Sequence, residues 1–291
     1  MAVLTPEQVA DFHRDGYLKF TRVISDSKVE ELRSTLDKII DEERGTNGVA
    51  LPSRPPEFAF GHDRGGETTG SKPARAIHQF VNMWKVSPEY RELLDNPIIT
   101  GAVRELMQAE QVRLWHDQVI SKPPGDNGHF SCHHDFYFWP LQRPTMITCW
   151  MALDDAIVDN GCMHVVPGSH RDPRYQPVTA DLSEDIHLSP VPMGPGEPGS
   201  LYNDIRTWMP EKAKPVILKA GECMFHHCLN WHLTPHNVTD RQRRAFVMIF
   251  MPDGSRYKEA QSPNHCCTNY LQLTDGQTMG GPDFPLCGVS L

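Results

Sequence analysis

Residues 133–140, HHDFYFWP, place two imidazoles and a carboxylate directly before a run of aromatic side chains. Because side chains alternate between the faces of a β-strand, His133 and Asp135 would point to one side of an extended segment and His134 to the other. An imidazole and a carboxylate, completed by a second imidazole, make the facial triad that binds Fe(II) in non-haem oxygenases. The segment predicts two ligands of such a metal site. A chance histidine pair on a solvated strand edge is the alternative.

The third ligand must come from elsewhere, and the segment FHHCLNWHLTPHN contains four histidines: His226, His227, His232 and His236. Thr234 follows His232 by two residues, so both face one side of an extended segment. Arg243, ahead of the apolar run AFVMIFM, offers the bidentate cation that a carboxylate in an apolar barrel needs, and a neighbouring hydroxyl can donate to the same carboxylate. We therefore group His232, Thr234 and Arg243. We expect His226 and His227 to be structural or to line the pocket.

Helical patterns come first along the chain. Residues 5–7, TPE, are typical of a helix start. Apolar residues at helical spacing predict a second helix from about Asp26 to Arg44, which Gly45 ends. Two short helices follow, near Pro88–Leu94 and Pro97–Met107.

From Val112 onward, short apolar runs separated by turns predict strands: VRLWHDQVI, TMITCWMAL, CMHVVP, PVIL, CMFHH and RAFVMIFM. Asn160-Gly161 predicts a tight hairpin before CMHVVP. Residues 45–75 and 172–214 are rich in polar residues and in proline or glycine, and they predict long loops. Helices followed by many strands indicate a mainly β barrel or sandwich with a helical flank.

The composition is that of a globular protein, with 39% hydrophobic and 22% charged residues among 291. A formal charge of −9 argues against nucleic acid or an anionic membrane as the partner. The N-terminus lacks a signal-peptide pattern and no apolar run is long enough to cross a bilayer, so we expect a cytoplasmic protein. The eight cysteines form no CxxC pair, which favours buried free thiols over a disulfide scaffold or a zinc module.

Several segments together resemble the phytanoyl-CoA dioxygenase family. They are HxD at 133–135, WMALDDAIVDNGCMHVVPGSH at 150–170, H-x-T-x-x-N at 232–237 with Arg243 beyond it, and RDGYLKF at 14–20. The resemblance covers most of residues 5–252. It implies a mainly β, double-stranded β-helix (jelly-roll, cupin-like) fold with flanking N-terminal α-helices.

We expect one oxygenase domain over residues 1–291. Its helical flank would end near residue 110 and its jelly-roll core would occupy about 111–275, followed by an irregular C-terminal tail. The family uses Fe(II), 2-oxoglutarate and O2. The resemblance implies that the iron ligands are His133, Asp135 and His232, that Arg243 pairs with the distal carboxylate of 2-oxoglutarate, and that Thr234 is the neighbouring hydroxyl. Trp150 and Gln118 match residues that line the cosubstrate, although some relatives have an apolar residue in place of Gln118.

The resemblance implies a 2-oxoglutarate-dependent dioxygenase, of a kind found in secondary metabolism, that hydroxylates an unactivated C–H bond of a small organic substrate. Phe136, Phe138 and Trp139 follow the HxD pair and would line an apolar pocket, which favours an apolar or ring-containing molecule. An acyl-CoA α-hydroxylase, a zinc hydrolase and a non-catalytic jelly-roll binding protein are the alternatives. The expected partner is the small-molecule substrate. The sequence leaves the oligomeric state open, a homodimer included.

Overall fold

The computed structural model describes residues 2–43, 53–55, 59–62, 77–125, 128–171, 211–262 and 265–288. Helices α1 to α4 are Pro6–Asp15, Asp26–Glu43, Pro88–Arg91 and Pro97–Met107. Strands β1 to β12 are Tyr17–Arg22, Ala59–His62, His78–Val81, Val112–Lys122, Phe130–His133, Ile147–Ala152, His164–Val165, Lys214–Pro215, Glu222–His227, His232–Thr234, Arg243–Pro252 and Leu286–Cys287. Most of the two predicted long loops lies outside the described residues, but β2 falls within the first of them.

The N-terminal helices form where caps and apolar spacing predict them. Thr5 Oγ1 accepts the Gln8 N–H at 3.2 Å while Gln8 Oε1 accepts the Thr5 N–H at 2.9 Å, which makes a capping box before α1. Gly16 ends that helix with a φ of +77°, a conformation that favours glycine. The buried apolar face of α2 consists of Val29, Leu32, Leu36 and Ile39. Among the described residues, no helix has both the length and the apolar character that crossing a bilayer requires.

Two antiparallel sheets enclose an apolar interior. The larger has the order β1-β9-β6-β11-β4-β3-β2, with β12 also paired to β4, and the smaller has the order β5-β10-β7-β8. This is the double-stranded β-helix that the family resemblance implies, and it narrows the barrel or sandwich that the strand pattern predicts. The predicted helical flank is not purely helical, because its strands β1, β2 and β3 extend the larger sheet.

The two faces of β11 show how the core is divided. One face belongs to an apolar cluster shared with α2 and α4, through Phe246, Met248 and Phe250. The other face lines the interior between the sheets, through Ala245, Val247 and Ile249. Since both faces are covered, the strand is apolar throughout instead of alternating with polar residues.

The HHDF segment differs from the predicted continuous strand. β5 ends at His133, and Asp135–Phe138 forms a 3₁₀ turn. His134 between them remains extended, with φ −121° and ψ 148°, so His133 and Asp135 still point to the same side. His133 and Asp135 therefore lie on one side as predicted, although β5 ends at His133.

The predicted hairpin at Asn160-Gly161 is wrong. The preceding strand β6 belongs to the larger sheet and the following strand β7 to the smaller, so the turn connects the two sheets. Gly161 has a φ of +79°, and a Cβ atom there would lie 2.4 Å from the carbonyl oxygen of Pro235. Glycine is required because the turn approaches the chain beyond β10, and not because two paired strands reverse direction.

An ion-pair network fastens α2 to the larger sheet. Arg244 donates from Nε and Nη2 to Asp154 at 2.9 and 3.1 Å, and from Nη1 to Asp37 of α2 at 3.1 Å. Arg33 of α2 reaches the same Asp154 carboxylate at 3.0 Å. Asp154 is largely buried, and its single carboxylate balances the positive charge of both Arg33 and Arg244.

Replacing Asp154 with alanine should lower the free energy of unfolding by about 2–4 kcal/mol, because two largely buried guanidinium groups lose a shared partner. Asp155→Ala is the matched control. Asp155 pairs with the exposed Lys219, so its loss should cost at most about 1 kcal/mol. Urea unfolding followed by circular dichroism measures both variants, and equal losses would contradict the network.

Candidate metal centre

His133, Asp135 and His232 come together although different parts of the chain supply them. His133 is the last residue of β5, Asp135 opens the 3₁₀ turn after it, and His232 is the first residue of β10. β5 and β10 pair with His232 directly opposite His133, and a register shift separates this pair from Thr234 and Phe130. The ligand atoms of the three residues all lie within 4.8 Å of one another.

Both imidazoles present Nε2 to the carboxylate. His133 Nδ1 lies 2.6 Å from the carbonyl oxygen of Ser131, and His232 Nδ1 lies 2.9 Å from that of Asn230. When Nδ1 donates its proton to a carbonyl, Nε2 keeps its lone pair for a metal. The Nε2 atoms of His133 and His232 lie 3.8 and 3.5 Å from Asp135 Oδ1. An ion beside Oδ1 would therefore reach all three side chains.

The two oxygens of Asp135 have different surroundings. Oδ2 lies 3.0 Å from Nε2 of His226 on β9, and it accepts the Thr148 hydroxyl of β6 at 3.2 Å. The larger sheet thus holds one carboxylate oxygen and leaves Oδ1 to face the imidazoles. Neither His226 nor Thr148 is among the predicted site residues. Each contacts a metal ligand instead of the metal, and no local sequence pattern indicates such a contact.

Burial and charge set the protonation states that a metal requires. Burial opposes ionisation of Asp135, but interactions with the surrounding imidazoles of His232, His226 and His133 outweigh it and hold the pKa of that carboxyl well below its usual range. Burial lowers the pKa of His232 to about 3, so its ring is neutral at neutral pH. An ionised carboxylate beside a neutral imidazole is what a divalent cation binds.

Arg243, Thr234 and Trp150 bring polar groups into the apolar interior. Arg243 is fully buried at the start of β11, and its guanidinium carbon lies 5.5 Å from the centre of the Trp150 ring. Thr234 is also buried, and its hydroxyl has no hydrogen-bond partner among the described residues. A buried hydroxyl costs free energy unless something satisfies it. The three groups fit an anionic ligand that accepts hydrogen bonds, as 2-oxoglutarate does.

Lys122 is a second buried cation, which the sequence analysis missed. It is fully buried and lies opposite Arg243 in the pairing of β4 with β11. Its ammonium group donates to the carbonyl oxygens of Gly128 and Thr234 at 3.2 and 3.3 Å, and also to that of Pro235. Lys122 therefore holds the end of β10 and adds positive potential next to Arg243. A lysine at the end of the largely apolar strand β4 is the sequence feature that could have indicated a buried cation.

The three aromatic residues predicted to line the substrate pocket lie in two environments. Phe136 and Trp139 are buried in the interior cluster. Phe138 is 38% exposed, and its ring meets the His133 ring edge-on with centroids 5.8 Å apart. Phe138 is therefore the aromatic residue that borders the metal ligands.

Gln118 and His134 have partners outside the triad. Gln118 Oε1 accepts a hydrogen bond from the amide of Gln79 on β3. His134 is buried on the opposite side of its segment, where its ring lies edge-on to that of Trp231 at 5.1 Å. The expected packing of His134 away from the metal ligands is confirmed.

Comparisons with known proteins agree with this geometry. The family model described as phytanoyl-CoA dioxygenase (PhyH) matches residues 12–245. The peroxisomal phytanoyl-CoA dioxygenase of Rattus norvegicus is 24% identical over 260 residues, which cover 88% of this chain and 70% of that protein. The phytanoyl-CoA dioxygenase domain-containing protein 1 of Rattus norvegicus is 25% identical over 284 residues, which cover 86% of this chain and 91% of that protein.

Two solved structures share the fold over nearly their whole length. The non-haem, alpha-ketoglutarate-dependent carbocyclase SnoK from nogalamycin biosynthesis has a TM-score of 0.72 and 25% identity, covering 99% of this chain and 98% of that chain. The epimerase SnoN, solved in complex with Fe3+, alpha ketoglutarate and nogalamycin RO, has a TM-score of 0.70 and 24% identity. The match covers 96% of this chain and 97% of that chain. The predicted jelly-roll fold is thereby confirmed.

Removing the hydrogen bond to Asp135 Oδ2 should weaken metal binding without removing a ligand. We expect His226→Phe to lower the affinity for Mn(II) by about 10- to 100-fold, because the carboxylate is no longer oriented. His226→Gln keeps a donor and should restore part of the affinity. His227→Gln, at the next position along β9, is the control and should bind as the wild type does. Anaerobic calorimetric titration measures all three, and wild-type affinity in His226→Phe would disprove the orienting role.

Proposed function

The chain belongs to the phytanoyl-CoA dioxygenase family, and from that membership we propose that it hydroxylates an unactivated C–H bond of a small, apolar or ring-containing organic molecule. Membership confirms the resemblance found in the sequence. It also confirms the class of enzyme, a non-haem iron dioxygenase that uses Fe(II), 2-oxoglutarate and O2. The substrate class and the type of oxidation are what the proposal adds.

The observation that carries this proposal is the apolar interior next to the triad. Phe136, Trp139 and Trp150 are buried in the cluster between the two sheets, and the Phe138 ring lies against His133. A wall of aromatic side chains gains free energy by removing apolar surface from water. It favours a substrate that has rings or aliphatic surface near the bond to be oxidised.

The proposed metal ligands are His133 and His232 through Nε2 and Asp135 through Oδ1. Two imidazoles and one carboxylate leave about half of an octahedral coordination shell open, as the family's chemistry requires. When bound, Fe(II) and 2-oxoglutarate supply the O2 activation that oxidises the C–H bond, and 2-oxoglutarate is converted to succinate and carbon dioxide. The carboxylate keeps its orientation because His226 and Thr148 hold Oδ2.

Arg243 is proposed to pair with the distal carboxylate of 2-oxoglutarate, and Thr234 to donate its hydroxyl proton to the same group. The guanidinium is restrained from one side by the Trp150 ring. Lys122 strengthens the positive potential there while it holds the end of β10. Gln118, hydrogen-bonded to β3, would border the cosubstrate without carrying its charge.

An acyl-CoA α-hydroxylase is the second candidate, because relatives of this chain are named phytanoyl-CoA dioxygenase. The remaining two alternatives, a zinc hydrolase and a non-catalytic binding protein, have no support once the family is known. A carboxylate-binding arginine and a buried hydroxyl have no role in a zinc site that activates water.

Anaerobic addition of 2-oxoglutarate to the Fe(II)-loaded chain should produce a weak charge-transfer band in the visible spectrum. His133→Ala should abolish the band, because it removes a metal ligand. Arg243→Gln should keep the band but require about 10- to 100-fold more 2-oxoglutarate, since hydrogen bonds to charged groups contribute about 1.5–3 kcal/mol each. Absence of the band from wild type at saturating iron and cosubstrate would overturn the assignment.

Arg244→Gln is the matched control for Arg243→Gln. Arg244 is the next residue, but it points outward to Asp154 and Asp37. Its replacement should lower the melting temperature and leave the requirement for 2-oxoglutarate unchanged. A parallel rise in that requirement would mean that loss of stability, and not loss of the carboxylate partner, explains Arg243→Gln.

Substrate-stimulated succinate formation tests the proposed substrate class. A panel of free polycyclic and aliphatic compounds should raise the rate of succinate formation above the uncoupled rate, with a hydroxylated product detected by mass spectrometry. Stimulation by acyl-CoA thioesters alone would instead establish the second candidate. A product that gains no oxygen atom would contradict hydroxylation while leaving the enzyme class intact.

A further inference from the structure

A second group of metal-binding side chains lies in the described part of the chain, distinct from the triad. It consists of His116 on β4 and of His265 and Cys267 in the C-terminal segment, and their ligand atoms all lie within 4.8 Å of one another. His116 and Cys267 are buried, and His265 is half-buried. The absence of a CxxC pair favours buried free thiols, and Cys267 is free here.

We propose that His116, His265 and Cys267 form a second metal site, for a borderline-soft divalent cation such as zinc. Two imidazoles and one thiolate are a donor set that zinc accepts, with the fourth tetrahedral position left to water or another ligand. The triad differs from it in having a carboxylate in place of the thiolate, which suits Fe(II) better. The two sites would therefore prefer different metals.

The spacing of the donors suits a tetrahedral ion after a small adjustment. Zinc–nitrogen and zinc–sulfur bonds of about 2.0–2.3 Å separate tetrahedral ligand atoms by about 3.3–3.6 Å. From the 4.8 Å limit, the three donors need to approach one another by at most about 1.2–1.5 Å. His265 Nδ1 accepts the Cys267 N–H at 3.1 Å. While Nδ1 accepts this hydrogen bond, Nε2 of the neutral ring carries the proton. His265 would therefore bind the ion after the Cys267 N–H turns away from Nδ1, which frees a lone pair on the ring.

Asn82 makes one contact that a metal-bound thiolate would use. Its amide Nδ2 points toward Cys267 Sγ at 3.8 Å, where it can donate to a negatively charged sulfur. Asn82 has a left-handed backbone with φ +62°, which asparagine adopts more readily than most residues, and its N–H donates to the Asp117 carbonyl at 2.9 Å.

The proposed ion would bind the C-terminal segment to the wall of the interior. The centroid of the His265 ring lies 5.2 Å from that of Trp115 and 5.8 Å from that of His116. The His116 and Trp139 ring centroids lie 6.2 Å apart. Trp139 is one of the residues predicted to line the substrate pocket. The ion would thus fix a part of that wall, whether or not the proposed substrate is correct.

Zinc stoichiometry tests the site directly. The full-length chain is stripped with a chelator, dialysed against micromolar Zn2+, and analysed by elemental mass spectrometry. Wild type should retain two zinc ions per chain, and the variant His133→Ala/His232→Ala should retain one. Adding Cys267→Ser to that variant should leave none. Cys287→Ser, at a buried free cysteine of β12, is the control and should retain the ion, whereas Cys266 is unsuitable because its Sγ lies 3.8 Å from that of Cys267.

Cobalt gives a second, spectroscopic result that does not depend on the triad variant folding. Wild type loaded with Co2+ should show a thiolate-to-cobalt charge-transfer band in the near ultraviolet, and Cys267→Ser should lose it while keeping one bound cobalt. The site would be disproved by a folded His133→Ala/His232→Ala variant that retains no zinc, by equal losses in Cys287→Ser and Cys267→Ser, or by a cobalt spectrum without the thiolate band.

Discussion

The pairing of β5 with β10 is the contact on which the candidate site depends. It sets His232 opposite His133, and Asp135 follows immediately where β5 ends. A shift of one residue in this register would turn the His232 ring to the other face of the sheet. The larger sheet reaches the same point through His226 and Thr148, which hold Asp135 Oδ2. One carboxylate therefore connects the two sheets at the candidate site.

The buried negative charge and the buried positive charges lie at different places inside the fold. Asp135 is ionised among imidazoles, whereas Lys122 and Arg243 are buried at paired positions of β4 and β11. Backbone carbonyl oxygens stabilise Lys122, and the face of Trp150 stabilises Arg243. A bound dianion would be attracted to both cations, so binding of the cosubstrate should also stabilise the fold.

Patterns confined to a few residues predicted most of the structure. The cap at Thr5, the apolar runs of β4 and β11 and the HxD pair are local signals, and each element lies where it was expected. The failures concern contacts between distant segments. Nothing near Asn160 shows that the next strand joins the other sheet, and nothing near His226 shows that it meets Asp135. Sheet membership depends on pairing across the whole chain, which a local pattern does not contain.

A one-residue bulge in β4 shapes the wall of the interior. Opposite β11, the register shifts after the pair His116–Ile249, which makes Trp115 the extra residue. A bulge redirects a side chain, and Trp115 accordingly joins His116 on the interior side. Lys122 lies further along the same strand, on the order of 20 Å away for an extended chain. One strand thus carries the buried cation at one end and the Trp115–His116 pair at the other, so a change that removes the bulge would redirect that pair while leaving Lys122 in place.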